Sequence, residues 1–244
     1  MPDPAIHDAY CTCGSEGDER LDAADLLVAM DRSGISTAMI APDSREMAFE
    51  NASGNARIAG LARAHPGRFL PGFSVNPWSR NAVEIAESAR ASGGRVLILA
   101  PHRQGCLLAD EVYDALLAWA SARSVPVYAH AAPTSSGNPA QLFFLADRHP
   151  SVRFLLGRCG TTDYSYDMAA VLDLAPGNVW YDFGFVRPSA MARYAAAAPG
   201  RFCFASCAPQ NDADYELSLL RQQIPAEALP GILGGNFQTF LGTE

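Results

Sequence analysis

Short apolar runs alternate with longer segments of helical spacing along the whole chain. The apolar runs are rich in valine, isoleucine and aromatic residues, and the clearest of them predict strands buried on both faces, as in a parallel sheet. The predicted strands cover residues 5–12, 35–41, 69–75, 95–100, 125–130, 152–157, 179–183 and 202–206. The predicted helices cover residues 22–30, 46–65, 82–91, 108–122, 141–148, 167–174, 190–197 and 215–221.

Eight rounds of strand and helix predict a closed parallel barrel. Strict alternation with short connections is typical of parallel α/β proteins. Eight units in 244 residues fit an α/β fold of the (β/α)₈ TIM-barrel type, as one domain over residues 1–244. No Gly-x-Gly-x-x-Gly pattern follows the first predicted strand, so a doubly wound dinucleotide-binding sheet is the second choice.

The charge and the cysteine content exclude several classes of function. The formal net charge is −8 and no basic tract occurs, which argues against a nucleic-acid partner. No apolar run approaches the about 18 residues that a transmembrane helix needs. The acidic first residues lack the apolar core of a signal peptide. Six cysteines without such a signal predict free thiols and a cytoplasmic location.

The basic residues are all arginine, because the sequence contains no lysine. A Schiff base between a lysine amine and a carbonyl substrate is therefore excluded. A metal site bridged by a modified lysine is excluded for the same reason.

Polar residues lie where several predicted strands end. His130 closes the strand predicted over residues 125–130, and ligand-handling groups in parallel α/β proteins lie at the carboxyl ends of strands. A structural histidine is the alternative for this residue. Other polar residues after strands are candidates for substrate binding or are solvated loop residues. They are Asp43, Asn76, His102, Arg103 and Asp182.

Several short motifs along the chain resemble those of one family, and they occur in the family's order. They are Pro66-Gly67-Arg68-Phe69, Gly72-Phe73-Ser74-Val75-Asn76-Pro77, Val127-Tyr128-Ala129-His130-Ala131, Asn178-Val179-Trp180-Tyr181-Asp182 and Gly234-Gly235-Asn236. The chain resembles the amidohydrolase-related TIM barrels, the group that contains aminocarboxymuconate-semialdehyde decarboxylase and related hydrolases. The resemblance implies the barrel fold, an enzyme and a homodimer.

The resemblance also implies one divalent metal, and the residues at the ligand positions depart from that pattern. The family's ligands are a His-x-His on the first strand, a histidine on the fifth, a histidine on the sixth and an aspartate on the eighth. Its first-strand pattern, Asp-x-His-x-His-x-Gly, aligns with residues 8–14 without a gap. The five ligand positions are occupied here by Tyr10, Thr12, His130, Arg158 and Cys207. Only the histidine is kept, so we expect a degenerate metal site with no metal and no other cofactor.

One interpretation of the altered site is an enzyme that works without metal. His130 would serve as general acid or base, and Arg158 would hold a substrate carboxylate or an oxyanion. Cys207, beside both cations, would be a thiolate nucleophile of lowered pKa, and Tyr10 would donate or relay a proton. The substrate is expected to be a small organic acid or acyl compound that undergoes hydrolysis, lyase chemistry or rearrangement. The residues expected to bind it are Thr12, Asn76, His102, Arg103 and Asp182.

Two other interpretations stay open from the sequence. A rebuilt zinc or copper site is one, because Cys11, Cys13, His130, Cys159 and Cys207 are soft or borderline ligands. Strand alternation turns the first two of these away from Tyr10 and Thr12, unless a bulge intervenes. The other is a binding or scaffold protein that kept the barrel and lost the chemistry.

The candidate residues also have structural interpretations. Cys207 is a small residue that suits a core, Tyr10 can fill the barrel, and Arg158 can form an ion pair with Asp182.

Overall fold

The computed structural model describes residues 5–130, 136–158, 168 and 171–243. Its strands in chain order are β1 (Ile6–Thr12), β2 (Gly14–Glu16), β3 (Glu19–Leu21), β4 (Ile35–Ala41), β5 (Phe69–Ser74), β6 (Val96–Leu99), β7 (Val127–His130), β8 (Phe154–Gly157), β9 (Val179–Asp182) and β10 (Phe202–Cys203). Within the described residues, β1 and β4 to β10 form one parallel sheet in chain order. The (β/α)₈ barrel prediction is confirmed.

The barrel closes through backbone hydrogen bonds between its first strand and the segment around its last. The amide of Ala9 donates to the carbonyl of Phe204 at 2.9 Å, and the amide of Cys207 donates to the carbonyl of Tyr10 at 3.1 Å. These bonds give the backbone groups of the first strand partners on both sides. They also bring residues 204–208 beside β1 at the carboxyl end of the barrel.

The helices pack around the sheet. They are α1 (Ala23–Ser33), α2 (Ser44–Ala48), α3 (Asn51–Ala64), α4 (Ala82–Ala91), α5 (Pro101–Gln104), α6 (Asp114–Ala122), α7 (Pro139–Arg148), α8 (Pro188–Ala197), α9 (Ala213–Gln223) and α10 (Asn236–Leu241). Short 3₁₀ turns cover Glu111–Tyr113 and Leu172–Leu174, and a π turn covers Gly231–Gly235. No helix among the described residues is long and apolar enough to cross a membrane.

Two hydrophobic clusters follow the alternation of side chains along the strands. One lies inside the barrel and includes Tyr10, Ile98, Tyr128 and Leu155. The other lies between the strands and the helices and includes Cys11 together with residues of α1 and α6. Successive residues of a strand face opposite sides of the sheet, so the neighbours Tyr10 and Cys11 belong to different clusters. Only the side chains of the inner cluster can therefore take part in chemistry inside the barrel.

Several elements differ from the sequence predictions. The helix predicted over residues 46–65 is two helices, because Asp43 and Glu46 form a capping box that starts α2. The Asn51 amide then donates to the carbonyls of Glu46 and Met47 at the end of α2. The hairpin β2–β3 and the helix α5 lie between the predicted elements. Of the helix predicted over residues 167–174, residues 167, 169 and 170 lie outside the described residues, and Leu172–Leu174 form a 3₁₀ turn.

Candidate active site

The carboxyl ends of β1 and β7 place three aromatic rings against one another inside the barrel. The Tyr10 ring stacks on the Tyr128 ring with centroids 4.6 Å apart. The His130 ring meets both tyrosine rings edge-on, at centroid distances of 4.8 and 5.3 Å. Tyr128 and His130 share one face because they are two residues apart on β7. The two tyrosine rings therefore pack against the His130 ring inside the barrel, and His130 lies nearer the carboxyl end of β7 than Tyr128 does.

His130 is fully buried inside the barrel. Neither ring nitrogen has a partner among the described residues. Burial lowers the pKa of His130 well below its usual value, and the guanidinium groups of Arg103 and Arg158 lower it further. The imidazole is therefore neutral at physiological pH, with one N–H donor and one lone pair available to a ligand.

Two buried guanidinium groups converge on one carboxylate. Arg103 donates through Nη2 to the Glu16 Oε1 atom, and Nη2 of Arg158 lies 3.7 Å from that same oxygen. Arg158 also donates to Gln210 Oε1 at 2.5 Å, and its guanidinium lies 5.2 Å from the Phe185 ring centroid. The Arg103 and Arg158 side chains are each 9% exposed and that of Glu16 is 4% exposed. The cluster is therefore largely shielded from solvent.

The backbone of Arg158 adopts a left-handed conformation that side chains other than glycine rarely take. Its φ is +60°, and such a conformation costs about 1 kcal/mol or more unless the surroundings hold it. Asp182 supplies that support, because its Oδ1 accepts the Arg158 amide at 2.8 Å. The Asp182 carboxyl therefore accepts a hydrogen bond from the Arg158 backbone amide, in place of the ion pair that the sequence suggests between the two side chains.

Unpaired polar atoms gather at this end of the barrel. Several buried side-chain atoms lack a partner among the described residues, and five of them are nitrogens of this cluster: Nδ1 of His102, Nη1 of Arg103, Nε of Arg158 and both ring nitrogens of His130. The rings of His102 and His130 lie 6.1 Å apart, and the charges of both arginines reach them. Buried polar groups in folded proteins are almost always paired. The cluster is thus suited to bind a polar ligand that accepts hydrogen bonds.

Asp182 is held by donors from the protein. Oδ1 accepts from the amides of Arg158 and Gly184 at 2.8 and 3.0 Å, and Oδ2 accepts from the Tyr128 hydroxyl at 2.8 Å. Burial raises the pKa of Asp182 to about 7, although these hydrogen bonds oppose the shift. With three donors already bound, this carboxyl positions the Arg158 turn. That it also contacts substrate stays a prediction.

Cys207 lies inside the barrel but in an environment that favours the thiol. Burial raises its pKa well above the usual value and the Asp182 charge raises it further, while Arg158 lowers it by less. The expected low-pKa thiolate is therefore corrected, because desolvation outweighs the attraction of the guanidinium. The backbone of Cys207 is also left-handed, with φ +56°.

Two further candidates have different surroundings. The Thr12 hydroxyl lies 3.1 Å from the Tyr10 hydroxyl and faces the same interior. The amide of Asn76 instead donates to the carbonyl of Ala48 at 2.7 Å and accepts from the amide of Trp78 at 3.0 Å. Asn76 therefore braces a loop, and its role in binding substrate stays a prediction.

The cysteines of β1 and its end lie on the outer face of the barrel. Cys11 and Cys13 belong to the outer cluster, and the Cys11 thiol donates to Asp8 Oδ2 at 3.1 Å. Cys159 lies outside the described residues. Among the residues that the structure describes, no group of three or more histidine, cysteine or acidic side chains is arranged to hold a metal ion. The described cysteines thus do not converge with His130 on a rebuilt metal site.

Three residues of the site are not among the candidates that the sequence offers. Tyr128 could have been found, since it lies two residues before His130 on the same strand and so shares its face. Glu16 and Gln210 gave no signal, because they lie in polar segments without a hydrophobic period.

A parallel barrel with polar groups at the carboxyl ends of its strands defines the class of TIM-barrel proteins. The model of the family described as Amidohydrolase matches residues 16–242. The chain therefore belongs to the amidohydrolase family. No protein of established function matched the sequence in a search of curated proteins.

Solved structures of similar fold cover nearly the whole chain. An uncharacterised TIM-barrel protein of Bordetella bronchiseptica has a TM-score of 0.80 at 17% identity, over 98% of this chain and 99% of that one. The 5-carboxyvanillate decarboxylase of Sphingomonas paucimobilis has a TM-score of 0.72 at 14% identity, over 98% and 99%. A dihydroxybenzoic acid decarboxylase of Polaromonas sp. JS666, with bound manganese and the inhibitor 2-nitroresorcinol, has a TM-score of 0.77 at 15% identity, over 98% and 97%. At these identities the likeness shows the fold alone.

Proposed function

We propose that this protein is a divergent amidohydrolase-superfamily enzyme that acts on a small organic acid or acyl compound without a divalent metal. The observation that carries the proposal is the set of unpaired buried nitrogens of His102, Arg103, His130 and Arg158. A carboxylate offers the acceptors that guanidinium groups bind most strongly. The site lies at the carboxyl ends of the strands, where TIM-barrel enzymes carry their chemistry.

The residues at the family's ligand positions do not fit a divalent cation. Burial raises the pKa of the Tyr10 phenol and of the Cys207 thiol, so both stay protonated. Thr12 is a neutral hydroxyl, and Arg158 carries a permanent positive charge. Only His130 is a usual ligand, and it faces two guanidinium groups that would repel a cation. The chemistry is therefore assigned to side chains.

The charges around His130 suggest how substrate binding would activate it. Burial, and after it the charges of the two arginines, lowers the pKa of His130 and keeps the imidazole neutral. A bound carboxylate would offset these cations and raise the pKa of His130 toward the range that acid–base catalysis requires. His130 would then accept or deliver a proton at the reacting atom, and the Tyr10 hydroxyl would support it as a neutral donor. Cys207 is assigned to the wall of the site and not to covalent catalysis.

The similar structures favour lyase chemistry as the first reaction to test. Two of them are decarboxylases of aromatic acids, and their likeness to this chain extends to the fold. The stacked rings of Tyr10 and Tyr128 lie against His130, so the surroundings of its imidazole are aromatic. A hydroxylated benzoic acid is therefore the first substrate class to test, with hydrolysis and rearrangement as alternatives.

The test is turnover by metal-depleted protein. A panel of hydroxybenzoic acids and small acyl esters is incubated with chelator-treated enzyme, and loss of substrate is followed by chromatography and mass spectrometry. We expect turnover that survives chelation and falls by about 100-fold or more in His130→Gln. The control is His149→Gln, because that histidine pairs with Asp114 at the outer ends of α6 and α7.

Two results would contradict the proposal. One tightly bound metal per chain whose removal abolishes turnover would overturn metal independence. Binding of acids without turnover of any panel member would favour the alternative of a binding protein that lost its chemistry.

We also infer a cytoplasmic location and a small-molecule partner, without nucleic acid or membrane. The support is the acidic charge and the free cysteines of the described residues, which are all buried. A homodimer rests on the family resemblance and is tested by the mass of the purified protein in solution.

A further inference from the structure

Glu16 reaches the site from a short hairpin that is fixed to the barrel mouth. The hairpin pairs Gly14 with Leu21 and Glu16 with Glu19. Gly14 has φ +131°, and a Cβ atom there would lie 2.7 Å from Cβ of Asp43, so the close approach of the hairpin requires glycine. Glu19 is exposed while Glu16 is buried. Of two paired acidic residues, only one is turned into the site.

The buried charges of the site do not balance. Two guanidinium groups, Arg103 and Arg158, meet one carboxylate, that of Glu16. The histidines add no charge, because burial and the arginines lower the pKa of His102 to about 3 and that of His130 as well. Asp182 is occupied by three donors of the protein, and its carboxyl is protonated below about pH 7.

Below about pH 7, where Asp182 is protonated, the site carries an excess of one positive charge, so ligand binding is compared at pH 6. An uncompensated buried charge is costly, and a single anion would relieve it. The unpaired Nη1 of Arg103 and Nε of Arg158 are the donors that remain for this anion. Glu16 Oε1 already occupies the point between the two guanidinium groups, and Ser44 Oγ donates to Oε2 at 2.9 Å. A second ligand carboxylate would meet the charge of Glu16.

We propose that Glu16 is a specificity-determining residue that limits the site to substrates with one carboxylate and an otherwise uncharged body. This rests on the proposed function, in that the site binds an organic acid. Without the Glu16 charge, the two guanidinium groups would accept two carboxylates. The Glu16 carboxylate thus takes the place that the second carboxylate of a dicarboxylic acid would otherwise occupy.

The test compares binding of benzoate with binding of its three dicarboxylate relatives, phthalate, isophthalate and terephthalate, by titration calorimetry. Wild-type protein is expected to bind benzoate at least about tenfold more tightly than any dicarboxylate, since like charges in a buried site repel. In Glu16→Gln at least one dicarboxylate is expected to gain about tenfold or more in affinity and to match or exceed benzoate. Glu19→Gln, on the exposed side of the same hairpin, is the matched control and should keep the wild-type preference.

A second pair of variants keeps the test valid if Glu16→Gln alone does not fold. Arg103→Gln removes one cation, balances the site at zero net charge and should weaken benzoate binding by about tenfold or more. Arg103→Gln combined with Glu16→Gln restores one excess positive charge and should recover benzoate binding. Each protein is checked for folding by circular dichroism and a melting curve.

The outcomes separate this inference from the proposed function. If wild-type protein binds benzoate but Glu16→Gln keeps the same preference, the role of Glu16 is overturned while the organic-acid site stands. The inference is also overturned if the double variant binds benzoate no better than Arg103→Gln. If no variant and no wild-type sample binds any of the four acids, the proposed organic-acid site itself fails.

Discussion

The hydroxyl of Tyr128 donates to Oδ2 of Asp182 at 2.8 Å, so the Tyr128 ring is tied to the carboxyl that supports the Arg158 turn. The same ring stacks on Tyr10. This hydrogen bond therefore links β7, which carries His130, to β9, whose Asp182 supports the Arg158 turn.

Removing the Tyr128 hydroxyl should destabilise the protein without leaving a large cavity inside the barrel. Tyr128→Phe leaves a buried oxygen of Asp182 without its donor, and we expect a loss of about 1–2 kcal/mol in the free energy of unfolding. Urea denaturation measures the change. Tyr215→Phe is the control, because that ring is exposed. A loss equal to that of the control would show that the hydrogen bond contributes nothing.

Binding of a carboxylate should be linked to protonation of Asp182. The Asp182 carboxyl, whose pKa is raised to about 7 by burial, is neutral below that pH and negative above it. Its negative form repels a second anion, so the affinity for benzoate should fall as pH rises from about 6 to about 8. The measurement is calorimetry across this range, and Asp182→Asn should flatten the profile because its amide does not titrate.

The groups that face Asp182 are Tyr128, Cys203, Cys207, Glu216 and Arg158. The two thiols and the phenol stay protonated in this range because burial raises each pKa, and Arg158 stays charged. Burial also raises the pKa of Glu216 to about 7. Glu216→Gln is therefore the control, and a profile that it flattens while Asp182→Asn does not would contradict the assignment.

Cys207 should react slowly with alkylating reagents in the native protein. The thiolate is the reactive species, and burial together with Asp182 raises the pKa of this thiol. We expect iodoacetamide at pH 7.5 to label it only after denaturation, as shown by peptide mapping. Rapid native labelling at this position would restore the interpretation of a thiolate nucleophile.

The sequence identified the barrel because its signal is repeated eight times. Buried parallel strands leave continuous apolar runs, and a family match over most of the chain follows the same pattern. It also identified the polar residues at strand ends that surround His130. What it could not identify was the partner of each residue, because Glu16 lies in a three-residue strand without periodicity and Gln210 lies in a loop.

Cys207 shows that a neighbouring charge alone does not predict the protonation state of a buried group. The family resemblance places Cys207 near Arg158, and the guanidinium does lower the pKa of the thiol. The depth of burial and the nearby Asp182 carboxyl were not visible in the sequence, and these two effects decide the sign of the shift. In the same way, the sequence did not indicate that the amide of Asn76 braces a loop.

Glu216 should make the protein less stable at alkaline pH than at acid pH. It lies on α9, 7% exposed, and burial raises its pKa to about 7 with further contributions from Asp182 and Asp8. Between about pH 4.5 and pH 7 the folded state holds a proton that the unfolded state has released, so the free energy of unfolding falls as pH rises. The full difference is up to about 3 kcal/mol.

Glu216→Gln should therefore stabilise the protein at pH 8 and leave it nearly unchanged at pH 4, as measured by denaturant unfolding at both pH values. Glu227→Gln, at an exposed carboxyl, should change neither, and equal stabilisation by Glu216→Gln at both pH values would show that its effect is packing and not charge.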